Sequence, residues 1–376
     1  MVTLICSADW QLGMRRRYFG PEAQHRYTQA RLDVIERLGQ LADERGADAV
    51  LVAGDVFETN QVERQVISRA AEALARVPVP VLLLPGNHDA LEPGTVWSSP
   101  EWIAAVPANV VVLTEEPVVM GTDMRAVEIV GAPWRTRRPV VSPARTALEN
   151  LQPVTDGLPR VLVAHGMVDS FAPATDVPQI PLDTVESAVH DGRVSFALLG
   201  DRHSTTEVGT TGRVWYPGTP EVTDCGEIDP GNALVVTLEN GDCTVEVVHV
   251  GQWQMVQLTV ELDGTHGIAK VEQAVEALPD KPRTYLRLGV VGTLDIVSMT
   301  ALEVLLDSLG QVFAGVSRWA PTWDVRPLPD DDALSDLGLT GAAQSAMADL
   351  HARARYGDQT AAAALALMHR LLSGAA

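Results

Sequence analysis

The chain has 376 residues, 46% of them hydrophobic and 20% charged, with 28 Lys and Arg against 49 Asp and Glu, a formal net charge of −21. That composition excludes a disordered or fibrous chain, the length allows two domains and a tail, and the absence of any apolar run of about 18 residues argues against a membrane span. The acidity also excludes a global basic field for nucleic acid, so any grip on phosphates must come from local arginines, bound divalent ions or a partner.

The first residues, MVTLICSADWQLG, read as a strand running into a loop, without the basic and apolar regions of a secretion signal. Cys6, Cys225 and Cys243 are too few and too scattered for a disulfide framework or a zinc knuckle, so a cytoplasmic setting is expected.

Strand and helix patterns then alternate. Apolar runs at 2–8, 48–53, 81–84, 110–113, 127–131, 160–164 and 196–199 predict strands buried on both faces, and helical spacing appears at 26–45 and 61–76. From 206 to 250 the pattern is β-rich, with turns at Asp229-Pro230-Gly231 and Asn240-Gly241. A second unit begins near Gln252. Strands around 256–262, 286–290 and 312–319 alternate with helices at 268–278 and 297–309, a small β-α-β-α-β unit. Residues 321–336 are rich in Pro and Asp and read as a linker, and 340–373 as two short helices. Leu365, Met368 and Leu372 form an apolar stripe on the second of these.

Five polar clusters each follow an apolar strand: Asp9-Trp10-Gln11, Gly54-Asp55, Gly86-Asn87-His88-Asp89, His165-Gly166 and Gly200-Asp201-Arg202-His203. The carboxyl ends of strands are where α/β sheets bind ligands. Five such ends carrying Asp, Asn and His are hard to explain as ordinary polar loops and point to a ligand site. Taken alone, His165 suggests a core or surface histidine, and Asn87-His88 a simple turn. Glu58 is balanced between a supporting role and a surface carboxylate, and Trp10 and Trp134 suit core packing better than base stacking.

In this order the clusters resemble the calcineurin-like metallophosphoesterases, whose pattern is D-x-H, GD, GNH[DE], H and GHxH. The second unit resembles the capping domain of the SbcD-type DNA repair nucleases, bacterial relatives of the Mre-type nucleases. The resemblance implies a four-layer α/β/β/α sandwich over 1–250, a small α+β capping domain over 251–325, and a linker with a helical, partner-binding tail over 326–376. It implies two divalent ions: Asp9, Gln11, Asp55 and His203 holding one, and Asp55, Asn87, His165 and Asp201 the other. It places His88 beside the scissile phosphate, with Asp89 orienting it. Gln11 stands where the family has His, and Asp201 where it has the first His of GHxH. An oxygen-rich site of this kind favours Mn²⁺ or Mg²⁺ over Zn²⁺, with weaker binding beside Gln11.

The expectation is therefore a metal-dependent DNA nuclease of recombination and repair, working as a homodimer with an SbcC-like SMC ATPase that docks on the tail stripe; residues 326–376 are expected to be needed for that complex but not for the fold. Arg15, Arg16 and Arg17, and Arg135, Arg137 and Arg138, are its candidate DNA contacts. The rival readings are a phosphodiesterase for small molecules or nucleotides and a non-catalytic DNA- or ATPase-binding subunit.

Overall fold

A computed structural model of the chain describes residues 1–121, 125–154, 157–171, 177–263, 268–327 and 339–373. The chain divides into two compact units, one of residues 1–16 with 24–253 and one of residues 17–23 with 254–376.

The first unit holds two six-stranded sheets. One contains β1 (Val2–Ser7), β2 (Ala49–Val52), β3 (Val81–Leu83), β4 (Val110–Val112), β11 (Asn232–Glu239) and β12 (Asp242–His249), in the spatial order β12-β11-β1-β2-β3-β4. β1 to β4 run parallel, and β11 returns antiparallel beside β1. The other contains β5 (Val118–Met120), β6 (Val127–Ala132), β7 (Arg160–His165), β8 (Phe196–Gly200), β9 (Thr206–Val208) and β10 (Val214–Tyr216), in the order β5-β6-β7-β8-β10-β9.

The continuous apolar runs are explained by what covers each face. Leu4, Cys6, Leu51 and Leu82 of one sheet meet Ile129, Val161, Val163 and Leu198 of the other in a shared core. The opposite face of the first sheet, with Ile5, Val50 and Leu83, packs on α1 (Pro21–Arg45) and α2 (Arg64–Leu74) and on Trp102 of α3 (Pro100–Ala105). The outer face of the second sheet packs on α4 (Pro143–Asn150) and α5 (Leu182–His190) through Ala144, Leu148, Val185 and Ala188. The result is an α/β/β/α sandwich, as the sequence predicts. β1, β2, β3, β7 and β8 bury both faces, which is why the sequence shows no alternation there, whereas the edge strand β4, expected to be buried, leaves Val111 exposed.

The second unit is a parallel sheet of β13 (Gln254–Asp263), β14 (Thr284–Leu294) and β15 (Gly315–Pro327), with α6 (Ala269–Glu276) and α7 (Ile296–Val312) as crossovers. Tyr18 stacks on Tyr285 at 3.9 Å between ring centroids, tying residues 17–23 to this sheet. β15 corrects the expected linker. Residues 321–327 are strand, and the rest of the expected linker, 328–336, lies outside the described residues. Pro321 is tolerated because the pairing skips from Leu288↔Arg318 to Val290↔Trp323, a bulge that needs no ladder donor from it.

The tail forms α8 (Ala342–Arg355) and α9 (Gln359–Ser373), the latter entered through Asp358, whose Oδ1 accepts from Ala361 N at 3.0 Å. The expected docking stripe needs correction as well. Leu365 is fully buried against Ile296 and Met347, Met368 is half-buried on the same cluster, and the side chain of Leu372 lies outside the described residues. The exposed leucines of α9 are Leu367 and Leu371. Helical spacing identifies an apolar face but does not say whether that face is already covered by the chain's own core. Among the described residues, no helix is long and apolar enough to cross a membrane.

Candidate metal centre

All five polar clusters leave the carboxyl ends of β1, β2, β3, β7 and β8, so the two sheets deliver them to one end of the sandwich. The turns that do this are strained. Asp9 (φ 54°), Gln11 (φ 42°), Asp55 (φ 50°) and Asp201 (φ 91°) all lie in the left-handed region. Left-handed backbone at non-glycine residues costs of order 1–3 kcal/mol each, and here the surrounding contacts over-determine it. The first two loops are laced together by Asp9 N to Gly54 O at 3.1 Å and Gln11 N to Asp55 O at 2.8 Å. Arg31, fully buried on α1, donates to the carbonyls of Asp9 (3.4 Å) and Trp10 and so clamps the first loop from behind. Gly86 and Gly200 are required by close approach: a Cβ at the first would collide with the Asp55 carboxylate and at the second with the Ala53 carbonyl.

Asp9, Asp55 and His165, all buried, each offer a ligand atom within 4.8 Å of the others. His165 Nε2 lies 3.4 Å from Asp55 Oδ2 and 3.8 Å from Asp201 Oδ1, while its Nδ1 is 2.8 Å from the Ala53 carbonyl. That backbone contact fixes a proton on Nδ1 and turns Nε2 to the carboxylates. The Asn87 side chain lies 2.8 Å from the same Nε2. With Nε2 protonated its Oδ1 accepts; with the lone pair free its amide nitrogen donates and reaches both Asp55 oxygens at 3.2 Å. On the other side, His203 Nε2 is 4.0 Å from Asp9 Oδ1 and 3.3 Å from Gln11 Nε2. Asp201 N donates to both Asp9 oxygens at 3.1 Å.

This set fits divalent ions. Gln11 Oε1 is buried without a hydrogen-bond partner, an oxygen that needs a cation or donor. The amide nitrogen of the same side chain lies 3.3 Å from His203 Nε2, which places Gln11 beside that imidazole. The electrostatics agree. Burial pushes the Asp9 carboxyl up to about 7, with repulsion from Asp55 and Asp201 adding to it and His203 and His165 opposing. Burial opposes charge on His165 too, yet Asp55, Asp9 and Asp201 hold its basicity well above the usual imidazole range. Burial also works against an ionised Asp55, but His165 and His88 keep its carboxyl below the ordinary value.

His88 stands at the rim, half-exposed, with Nε2 3.9 Å from Asp55 Oδ2 and its backbone N–H donating to Asp55 Oδ1 at 2.9 Å. The expected role of Asp89 needs correction. Its carboxylate is buried and accepts from Gly86 N at 2.7 Å and Phe57 N at 3.0 Å, so it shapes the loop backbone. The group that orients the His88 ring is the Glu58 carbonyl, 2.8 Å from Nδ1. Adjacency in sequence misled here, because neighbouring side chains on a tight turn point apart. Glu58 also has a buried Oε2 without a partner, and burial raises its carboxyl. Trp10 and Trp134 are core residues; Trp134 Nε1 donates to the His165 carbonyl at 2.7 Å.

The arginine patches are partly committed. Arg15 pairs with Glu63, Arg135 with Glu115 and Arg137 with Glu92, all partly or largely exposed, while Arg16 is half-buried and Arg17 and Arg138 are exposed. Sequence reading missed Arg31, Thr223 and Glu227. The last two meet His203 Nδ1 at 2.7 and 3.0 Å across separations of 20 and 24 residues, where no local motif marks them.

Residues 3–236, more than half of the chain, match the calcineurin-like phosphoesterase family. Among solved structures, TT1561 of Thermus thermophilus is similar at 12% identity and a TM-score of 0.39, over 65% of this chain and 98% of that one. A second solved structure is similar at 14% identity and a TM-score of 0.40, with the same coverage. A comparison with curated proteins returned no match.

Proposed function

The chain belongs to the calcineurin-like phosphoesterases, and on that premise we propose that it is a DNA nuclease, a Mn²⁺-dependent phosphodiesterase that trims ends or opens hairpins beside an SMC-like ATPase. The observation that carries the chemistry is the convergence of Asp9, Asp55 and His165 within 4.8 Å, with the His88 imidazole at their edge. Asp9, Gln11, Asp55 and His203 would hold one ion and Asp55, Asn87, His165 and Asp201 the other. Bound divalent ions stabilise charge in an in-line displacement at phosphorus and lower the pKa of the attacking water. The many oxygen ligands suit Mn²⁺ or Mg²⁺.

The chain's own contribution is positional. The Glu58 carbonyl, 2.8 Å from Nδ1, aims the His88 ring, whose Nε2 would donate a proton to the leaving oxygen. General acid help of this kind is worth about 10²–10⁴ in rate. Asp89 holds the turn that carries His88 through two backbone N–H groups.

DNA as substrate is supported by the β-α-β-α-β order of the second unit, which resembles the nuclease capping domain. A net charge of −21 calls for help in holding a polyanion, which an ATPase partner and a second copy of the chain would supply. The pairing of Arg15, Arg135 and Arg137 with carboxylates favours a second reading, a small phosphodiester as substrate. Cleavage of labelled linear and hairpin DNA in Mn²⁺, with wild type beside His88→Ala, separates them. Loss of cleavage in the variant at constant metal content supports the nuclease. Hydrolysis of cyclic nucleotides without cleavage of DNA, even with the ATPase and ATP supplied, supports the small substrate.

A further inference from the structure

The two histidines of the centre are supported differently. His165 turns Nδ1 to a neutral acceptor, the Ala53 carbonyl at 2.8 Å. His203 turns Nδ1 to a carboxylate, Glu227 Oε1 at 3.0 Å, with Thr223 Oγ1 at 2.7 Å beside it. The carboxylate is itself locked. Its Oε2 accepts from Thr223 N at 2.9 Å, its Oε1 accepts from the Thr223 hydroxyl, and the side chain is only 7% exposed. The carboxylate therefore stands on the side where Gln11 supplies a neutral oxygen. The other ion position already has the extra charge of Asp201.

We propose that Glu227, held by Thr223, is the positioning residue that makes His203 a strong ligand and sets the affinity of the ion position containing Gln11. A carboxylate accepting from Nδ1–H fixes the tautomer with the lone pair on Nε2, aims the ring and increases its donor strength. Nε2 then faces the Asp9 carboxylate at 4.0 Å and the Gln11 amide, whose nitrogen is 3.3 Å away and whose oxygen is buried and unpartnered; these are the residues of that position which are not shared. This inference rests on the two-ion reading of the centre.

The test is Mn²⁺ binding to the full chain, followed by calorimetry and by the electron paramagnetic resonance of bound Mn²⁺, in wild type, Glu227→Gln and Thr223→Val. Wild type is expected to take up two ions. Glu227→Gln is expected to weaken one of them by about 10–100-fold and to leave the other unchanged. Thr223→Val, which keeps the carboxylate, is expected to give a smaller loss at the same position. Equal binding of both ions by Glu227→Gln and wild type overturns the proposal and leaves the two-ion reading standing. So does an equal loss at both positions with Thr223→Val unaffected, since that marks a merely structural role. Uptake of fewer than two ions by wild type overturns the two-ion reading itself.

Discussion

The Nε2 atoms of Gln11 and His203 face each other across 3.3 Å, with the Gln11 oxygen buried and unpartnered beside them. An amide supplies only a neutral oxygen to a cation, where an imidazole would supply a stronger nitrogen donor. Gln11→His is therefore expected to tighten that ion position by about tenfold, roughly 1.4 kcal/mol, and to shift preference toward Zn²⁺. The left-handed backbone at Gln11 is one that histidine adopts more readily than most residues. Competition of Zn²⁺ against Mn²⁺ on the two proteins measures both effects. Unchanged selectivity would mean that residue 11 is not a ligand.

Asp9 supplies part of the pH dependence, beside Asp89, whose buried carboxyl is also raised to about 7. The Asp9 carboxyl is raised to about 7, chiefly by burial, from an ordinary value near 3.8. A raised carboxyl contributes stability that is present below the ordinary value and is lost as pH rises through about 7. Chelator-treated protein is thus expected to lose melting temperature as pH rises from about 5 to about 7, with little further loss above that. A divalent ion competes with that proton, so the stabilisation by saturating Mn²⁺ is expected to be larger at pH 8 than at pH 6. Asp9→Asn removes one of the two titrating carboxyls and should reduce the slope of the chelator-treated protein, leaving the share of Asp89. A slope undiminished in Asp9→Asn assigns it to other groups.

Gly200 precedes Asp201 at the end of β8, where a Cβ would collide with the backbone carbonyl of Ala53. Backbone cannot move aside as a flexible side chain can. Gly200→Ala is expected to cost roughly 1–3 kcal/mol and to weaken metal uptake, because the same carbonyl holds His165 Nδ1. Denaturant unfolding and metal titration of one preparation check the two effects together. Full metal uptake in a destabilised variant would separate the contact from the ligand geometry.

Much of this was legible in the sequence, for a local reason. Each ligand cluster directly follows an apolar strand, so the motif and the element that aims it lie within one short segment, as in Leu82–Leu84 followed by Gly86-Asn87-His88. What escaped is what depends on distant segments. Glu227 reaches His203 from 24 residues away, and Arg31 reaches the carbonyl of Asp9 from 22. The second half of β15, residues 321–327, escaped because Pro321 and Asp324 read as breakers, while the bulge that excuses the proline is a property of its pairing with β14. Asp89 escaped because adjacent side chains on this tight turn point apart, so that its carboxylate meets Gly86 and Phe57 N–H groups rather than the His88 ring.

The buried stripe of α9 yields the last expectation. Leu365 is fully buried on Ile296 of α7 and Met347 of α8, and Ala361, Ala362 and Ala366 join the core under the sheet of the second unit. Leu365→Ala removes several methyl groups from a closed cluster and is expected to cost about 2–5 kcal/mol. Leu371, on the same helix, is 73% exposed, and Leu371→Ala should lie within about 0.5 kcal/mol of wild type. An SMC-like partner that grips this helix must use the exposed leucines and leave Leu365 where it is. Leu371→Ala is then expected to weaken co-purification with the ATPase at unchanged stability, whereas Leu365→Ala loses stability first. A neutral Leu365→Ala in chemical denaturation would mean that α9 does not close the core of the second unit.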